Sequence, residues 1–155
     1  MEGNVKTIKR FFLPQILYLF QNIPIFLPKN FFKKLDSIIV AFLWDYKTHR
    51  ISKAHLCKAK VEGGLSLPNF SFYYYSCTLR TITIWLDRNF TQSNWITMEK
   101  EDCSPHEIGA PILSSTSIDT LAYNNNRIIH STIRIWKQIK SQFGIESLST
   151  LLPIV

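Results

Sequence analysis

Acidic side chains are scarce in this chain, and none of its five aspartates, Asp36, Asp45, Asp87, Asp102 and Asp119, adjoins another. Two-metal phosphoryl transfer needs carboxylates held together around the ions, and this spacing offers no such set. Cysteine is also sparse: Cys57, Cys77 and Cys103 stand 20 and 26 residues apart, matching neither a short zinc-ligand spacing nor a dense disulfide framework. They are expected to be reduced thiols of an intracellular protein, in cytoplasm or nucleus. Glycine-rich phosphate loops, glycine-flanked serines, Cys-x-x-Cys pairs and histidine pairs at ligand spacing are missing too. His49, His55, His106 and His130 are solitary, and Glu99, Glu101 and Asp102 suggest a solvated acidic patch. No catalytic residue, metal or cofactor is therefore expected. The apolar run from Phe11 to Pro28 is interrupted by Gln15, Gln21, Asn22 and the prolines Pro14, Pro24 and Pro28, so it is expected to be a soluble core segment and membrane association is not expected.

What is present is apolar surface and positive charge. With 155 residues, 46% hydrophobic and 14% aromatic, the chain has enough apolar material for one ordinary core. Its net charge of +7 is concentrated at one end. Residues 1 to 60 hold 11 basic and 3 acidic side chains, whereas residues 61 to 110 hold 3 and 6. Lysines and arginines spread over successive helices can follow a phosphate backbone and gain affinity by releasing counterions, without reading sequence. A solubilising surface is the plainer use of the same charges.

The hydrophobic spacing is helical almost throughout. Ile8, Phe12, Ile16, Leu19 and Phe20 mark a helix over Val5 to Ile23, kinked or divided at Pro14. Phe31, Leu35, Ile38 and Phe42 predict a second helix with one buried stripe, Pro28 in its first turn, and Lys29, Lys33 and Lys34 on a solvated face. Ser52 is placed to cap a short helix through Cys57, and Gly63 with Gly64 predicts a tight turn before an extended Leu65 to Pro68. Tyr75, Leu79, Ile82 and Leu86 predict a helix from Phe70 to Asp87, in which Tyr73, Tyr74 and Tyr75 cannot all face inward. A weaker helix is expected over Asn94 to Cys103, and a linker over Ser104 to Ser117. A final helix is expected from Arg127 to Phe143, with Ile129, Ile133, Trp136 and Phe143 on one side and Gly144 as its stop.

The expected fold is therefore mainly α, an irregular helical bundle with a Gly-Gly turn and a short extended segment near the middle. Its expected divisions are a basic helical region over 1–62, the turn and aromatic helices over 63–103, a linker over 104–126, and a terminal helix and tail over 127–155. The aromatics Phe31, Phe32, Trp44, Tyr73 and Tyr74 are placed either to stack on bases or to fill the core, and helical spacing favours the core.

Leu13 to Phe20, Ile23 to Pro28, Phe31 with Phe32, and Phe42 to Trp44 resemble the segment following the polymerase palm in LINE-type (non-LTR retrotransposon) reverse transcriptases. The order continues through Arg50 and Ile51, the turn Gly63, Gly64, Leu65, Leu67, Pro68 and Phe70, then Tyr73, Tyr74, Trp95 and Thr132 to Trp136. The resemblance implies a helical thumb and connector, which grip a primer and template duplex of RNA or DNA. Lys6, Lys9, Arg10, Lys33, Lys34, Arg50 and Lys53 would then be candidates for backbone contact, while Pro14, Phe31, Phe32, Trp44, Gly63, Gly64 and Pro68 would set the shape. The family's fingers, palm, endonuclease and aromatic-x-Asp-Asp signature are not in this sequence, so the expectation is a remnant that is not an enzyme. The alternative is a protein-interaction or scaffold module that meets a protein partner through exposed apolar surface.

Overall fold

The computed structural model describes residues 2–87, 94–113 and 126–145. Among them the chain is helical and contains no strand. The helices are α1 (Glu2–Thr7), α2 (Leu13–Asn22), α3 (Lys29–Leu43), α4 (Lys53–Cys57), α5 (Phe70–Leu86), α6 (Asn94–Asp102), α7 (Ala110–Leu113) and α8 (Arg127–Phe143). The chain forms two compact units, Met1–Asn22 with Leu27–Tyr74, and Ile23–Phe26 with Tyr75–Val155. The division falls inside α5, between Tyr74 and Tyr75, rather than at the glycine pair.

In the N-terminal unit, α1 runs into α2 through a π-helical turn, Ile8–Phe12, in which the Leu13 N–H reaches back five residues to the Ile8 carbonyl. Pro14 explains the widening. A proline ring strikes the carbonyl four residues before it in a regular helix, here Arg10, and the π turn opens that site. The arm lies against α3: the Asn4 side-chain amide donates to the Phe42 carbonyl at 3.2 Å, while at the other end Phe20 meets Phe32 at 6.4 Å. α3 begins after Pro28, whose extended ψ of 156° puts it just before the first turn rather than within it. α3 is followed, after Trp44, by two residues of positive φ, Asp45 and Tyr46, and the Tyr46 N–H caps the Ala41 carbonyl.

The buried stripe of α3 is not the expected one. Phe32, Leu35, Ile39 and Leu43 are buried, whereas Phe31, Ile38 and Phe42 are 39%, 64% and 40% exposed. Both sets repeat at helical spacing, and their phase is decided by the partners. Leu35, Ile39 and Leu43 join Val5, Ile8, Leu56, Leu67 and Phe70 in one core, with Leu13, Ile16 and Trp44 against it. Phe32 joins an aromatic knot instead, 5.2 Å from Tyr74, whose hydroxyl accepts the Leu27 N–H at 3.0 Å. The arm itself departs from the expected core segment, because no residue of Leu13–Asn22 is fully buried. Among the described residues no helix is long and apolar enough to cross a membrane.

Ser52 caps α4, its hydroxyl accepting the His55 N–H. The segment after the glycine pair is a hook rather than an extended run: Leu65 and Leu67 both donate to the Leu56 carbonyl, with Ser66 between them at φ +52°. Gly63 takes φ +80°, and a Cβ on Gly64 would lie 2.1 Å from the Lys58 carbonyl oxygen. The two glycines are thus required for different reasons, backbone handedness at the first and close approach at the second.

In the C-terminal unit, Ile129, Thr132, Ile133, Ile135, Trp136 and Ile139 of α8 are buried with Ile82, Trp85, Ile96, Ile108 and Ile112. Phe143, expected inside, is 49% exposed and rests against Tyr75. The Tyr75 hydroxyl donates to Gln142 at 3.0 Å and accepts from Gln138 at 3.2 Å, tying α5 to α8. Asn126 caps α8 through its side-chain oxygen and donates to Asp102 at 2.7 Å, fixing the end of α6. Within the described part of the expected Ser104–Ser117 linker, Ala110–Leu113 is helical and Ile108, Pro111 and Ile112 are buried. Residues 114–125 of the expected linker lie outside the described residues.

Replacing Ile39 by Ala is expected to cost about 2–4 kcal/mol in chemical denaturation, and the neighbouring Ile38→Ala to stay within about 0.5 kcal/mol. Equal losses would contradict the phase of α3. Gly64→Ala is expected to cost about 1–3 kcal/mol, because the clash is with backbone and not with a side chain able to move aside.

Candidate functional site

All the candidate cations belong to the N-terminal unit, and the fold sorts them into groups. Lys33 and Lys34 are exposed on α3. Successive helical residues point about 100° apart, so the pair straddles the outer face, with Lys34 sharing its side with the exposed Phe31 and Ile38. Arg50 is exposed in the loop before α4. Lys53, the first residue of α4, forms an ion pair with Asp36 of α3, both partly exposed. That pair offsets the charge of Lys53, which is therefore the weakest of the candidates as a backbone contact.

Lys6 and Lys9 lie on the arm and line a shallow cleft together with Lys60, Glu2, Val5 and Leu65. Lys60, which opens the 3-10 turn Lys60–Glu62, was not among the sequence candidates. Its only signal in the sequence was membership of the basic stretch, since the turn that brings it beside α1 depends on Gly63 and Gly64. Arg10 is exposed within the π turn.

The shape-setting residues divide as well. Phe32 and Pro68 are buried, Trp44 is half-buried, and Phe31 lies at the surface, its ring edge-on to Phe32 at 5.4 Å. Of the aromatics considered for stacking, Phe32 and Tyr74 are spent in the core, leaving Phe31 and Tyr73 partly exposed.

Burial is the main cause of the shifts at three thiols and one carboxyl group. Burial pushes the Cys57 and Cys77 thiols up, and burial, then the Asp102 and Glu99 carboxylates, push Cys103 up to about 11. Thiols held in this way are poor nucleophiles. Glu99 corrects the solvated acidic patch: it is 7% exposed and accepts a hydrogen bond from the Trp85 indole N–H at 2.8 Å. Burial raises its pKa above the ordinary carboxyl value, the Trp85 hydrogen bond opposes the shift, and Asp102 adds to it. Glu101 and Asp102 are exposed, as expected for such a patch. Among the described residues no group of three or more His, Cys, Asp or Glu is placed to hold a metal ion.

No family model matches the chain, and no solved structure matches it.

Because the folded state raises the Glu99 pKa, it binds the proton more tightly than the unfolded chain. The resulting stability is complete below the ordinary carboxyl value and is lost as pH rises through the folded value. Glu99→Gln keeps an acceptor for Trp85 without the buried charge. Its melting temperature is expected to exceed the parent's at neutral pH and to converge with it in acid. A constant difference across pH would show that ionisation of Glu99 is not the cause.

Proposed function

We propose that this chain is a non-catalytic, thumb-like remnant of a LINE-type reverse transcriptase that holds nucleic-acid backbone without reading sequence. The motif order from Leu13 to Trp136 supports the descent. The observation that carries the binding is the distribution of charge over a helical unit: Lys6, Arg10, Lys33, Lys34 and Arg50 are all exposed on it. Long flexible cations on rigid helices suit phosphate contact, which needs charge near a regular backbone and no base-specific geometry. The role is holding rather than making, since the aspartates are dispersed along the sequence.

A second reading has its own observation. The exposed apolar ridge of Phe31, Ile38 and Phe42, with Phe11 and Tyr18 on the arm at 67% and 66% exposure, is surface that a protein partner would cover. Salt-insensitive self-association in sedimentation would favour this scaffold role.

Binding to a short DNA duplex and to a primer–template hybrid is expected to weaken linearly in log–log salt titration. Neutralising Lys33, Lys34, Arg50 and Lys53 together is expected to flatten that slope, with Lys53→Gln alone contributing least because Asp36 already offsets it. Absence of binding at low salt, or binding indifferent to salt, would end the electrostatic reading.

A further inference from the structure

We propose that Lys6, Lys9 and Lys60 act together as a grip for one phosphate group of a nucleic-acid backbone, an inference that rests on the backbone-holding reading above. The three lysines line a single cleft of about 50 Å³ with Glu2, Val5 and Leu65. A cleft of that size takes a few waters or one small oxyanion, and not a base or a sugar. Lys6 and Lys9 are three residues apart in sequence and therefore neighbours on one side of the helical arm. Lys60 arrives from the turn before Gly63, a position set by the hook of Leu65 and Leu67 on the Leu56 carbonyl.

Two walls of the cleft rest on the core, which fixes the backbone positions from which the lysines extend. Val5 is buried, and Leu65 packs against the cluster containing Ile8, Leu35 and Leu56. Three lysines and one glutamate line the cleft, so a surplus of positive charge remains after Glu2 is counted. Among the described residues no arginine lines the cleft. An arginine fork matches the flat, paired oxygens of a carboxylate, whereas separate lysine point charges suit a tetrahedral group with several outward oxygens. The chemistry therefore favours phosphate over an acidic peptide.

This arrangement differs from lysines strung along a backbone, and the difference is measurable in the full chain. Salt titration of binding to a short DNA duplex is compared for the parent, for Lys6→Gln, Lys9→Gln and Lys60→Gln singly, and for the three together. One shared phosphate predicts a slope change of about 0.9 for the triple variant. It also predicts that the single losses exceed, when added, the loss of the triple, because groups acting on one ligand are coupled. A slope change near 2.7 with additive single effects would mean about three independent phosphates and would overturn the shared grip. An unchanged slope in the triple variant, with salt-dependent binding intact, would overturn it while leaving the wider reading in place. No duplex binding by the parent would overturn both. Inorganic phosphate added to the parent gives a second readout that does not depend on the variants: NMR shifts are expected at the Val5 and Leu65 methyls and not at Ile38. Shifts at Ile38 alone, or displacement of the duplex by polyglutamate as readily as by polyphosphate, would count against a phosphate site.

Discussion

The packing of α3 against the arm formed by α1 and α2 is the constraint on which the N-terminal unit depends. Once Leu35, Ile39 and Leu43 are turned toward Val5 and Ile8, the orientation of every other α3 residue follows from helical geometry. Lys33 and Lys34 must then face outward, Asp36 must lie where Lys53 can reach it, and the Phe31–Ile38–Phe42 ridge must remain at the surface. The arm tolerates Pro14 in this packing because the π turn absorbs the disturbance just before it. The same arm carries Lys6 and Lys9 to the hook that holds Lys60. Apolar burial of order 1.5–3 kcal/mol per large side chain is what holds the helices that carry these exposed charges.

Burial also decides which polar groups are chemically available. The thiols and Glu99 are each pushed toward their neutral forms by desolvation, which suits structural roles in a core. Lys6, Lys33, Lys34 and Lys60 lie at the surface, where a long stem can pack while its ammonium group stays in water. Reactive chemistry is thus muted inside, and charge is displayed outside.

Several elements were legible from residue spacing because their determinants are local. The limits of α8 were set by sequence-near features, an apolar period and a glycine at φ +64°, and α4 by its serine cap. Gly63 and Gly64 announced a turn for the same reason. The phase of α3 was not legible: two apolar series, one through Phe31 and Ile38 and one through Phe32 and Ile39, run side by side on the same helix. Periodicity cannot choose between them, since the choice lies in what α1 and α5 present. Glu99 was misjudged similarly, because a polar stretch signals exposure only when no neighbour covers it.

The sequence by itself determined that this chain is helical, where its main turns fall, and that its positive charge is concentrated in residues 1 to 60, because propensity, capping and charge are carried by each residue and its near neighbours. Only the tertiary structure decided which apolar stripe is core, which lysine is offset by Asp36, and which lysines share a cleft. Those outcomes depend on groups far apart in the chain, and a spacing pattern holds no information about distance in space.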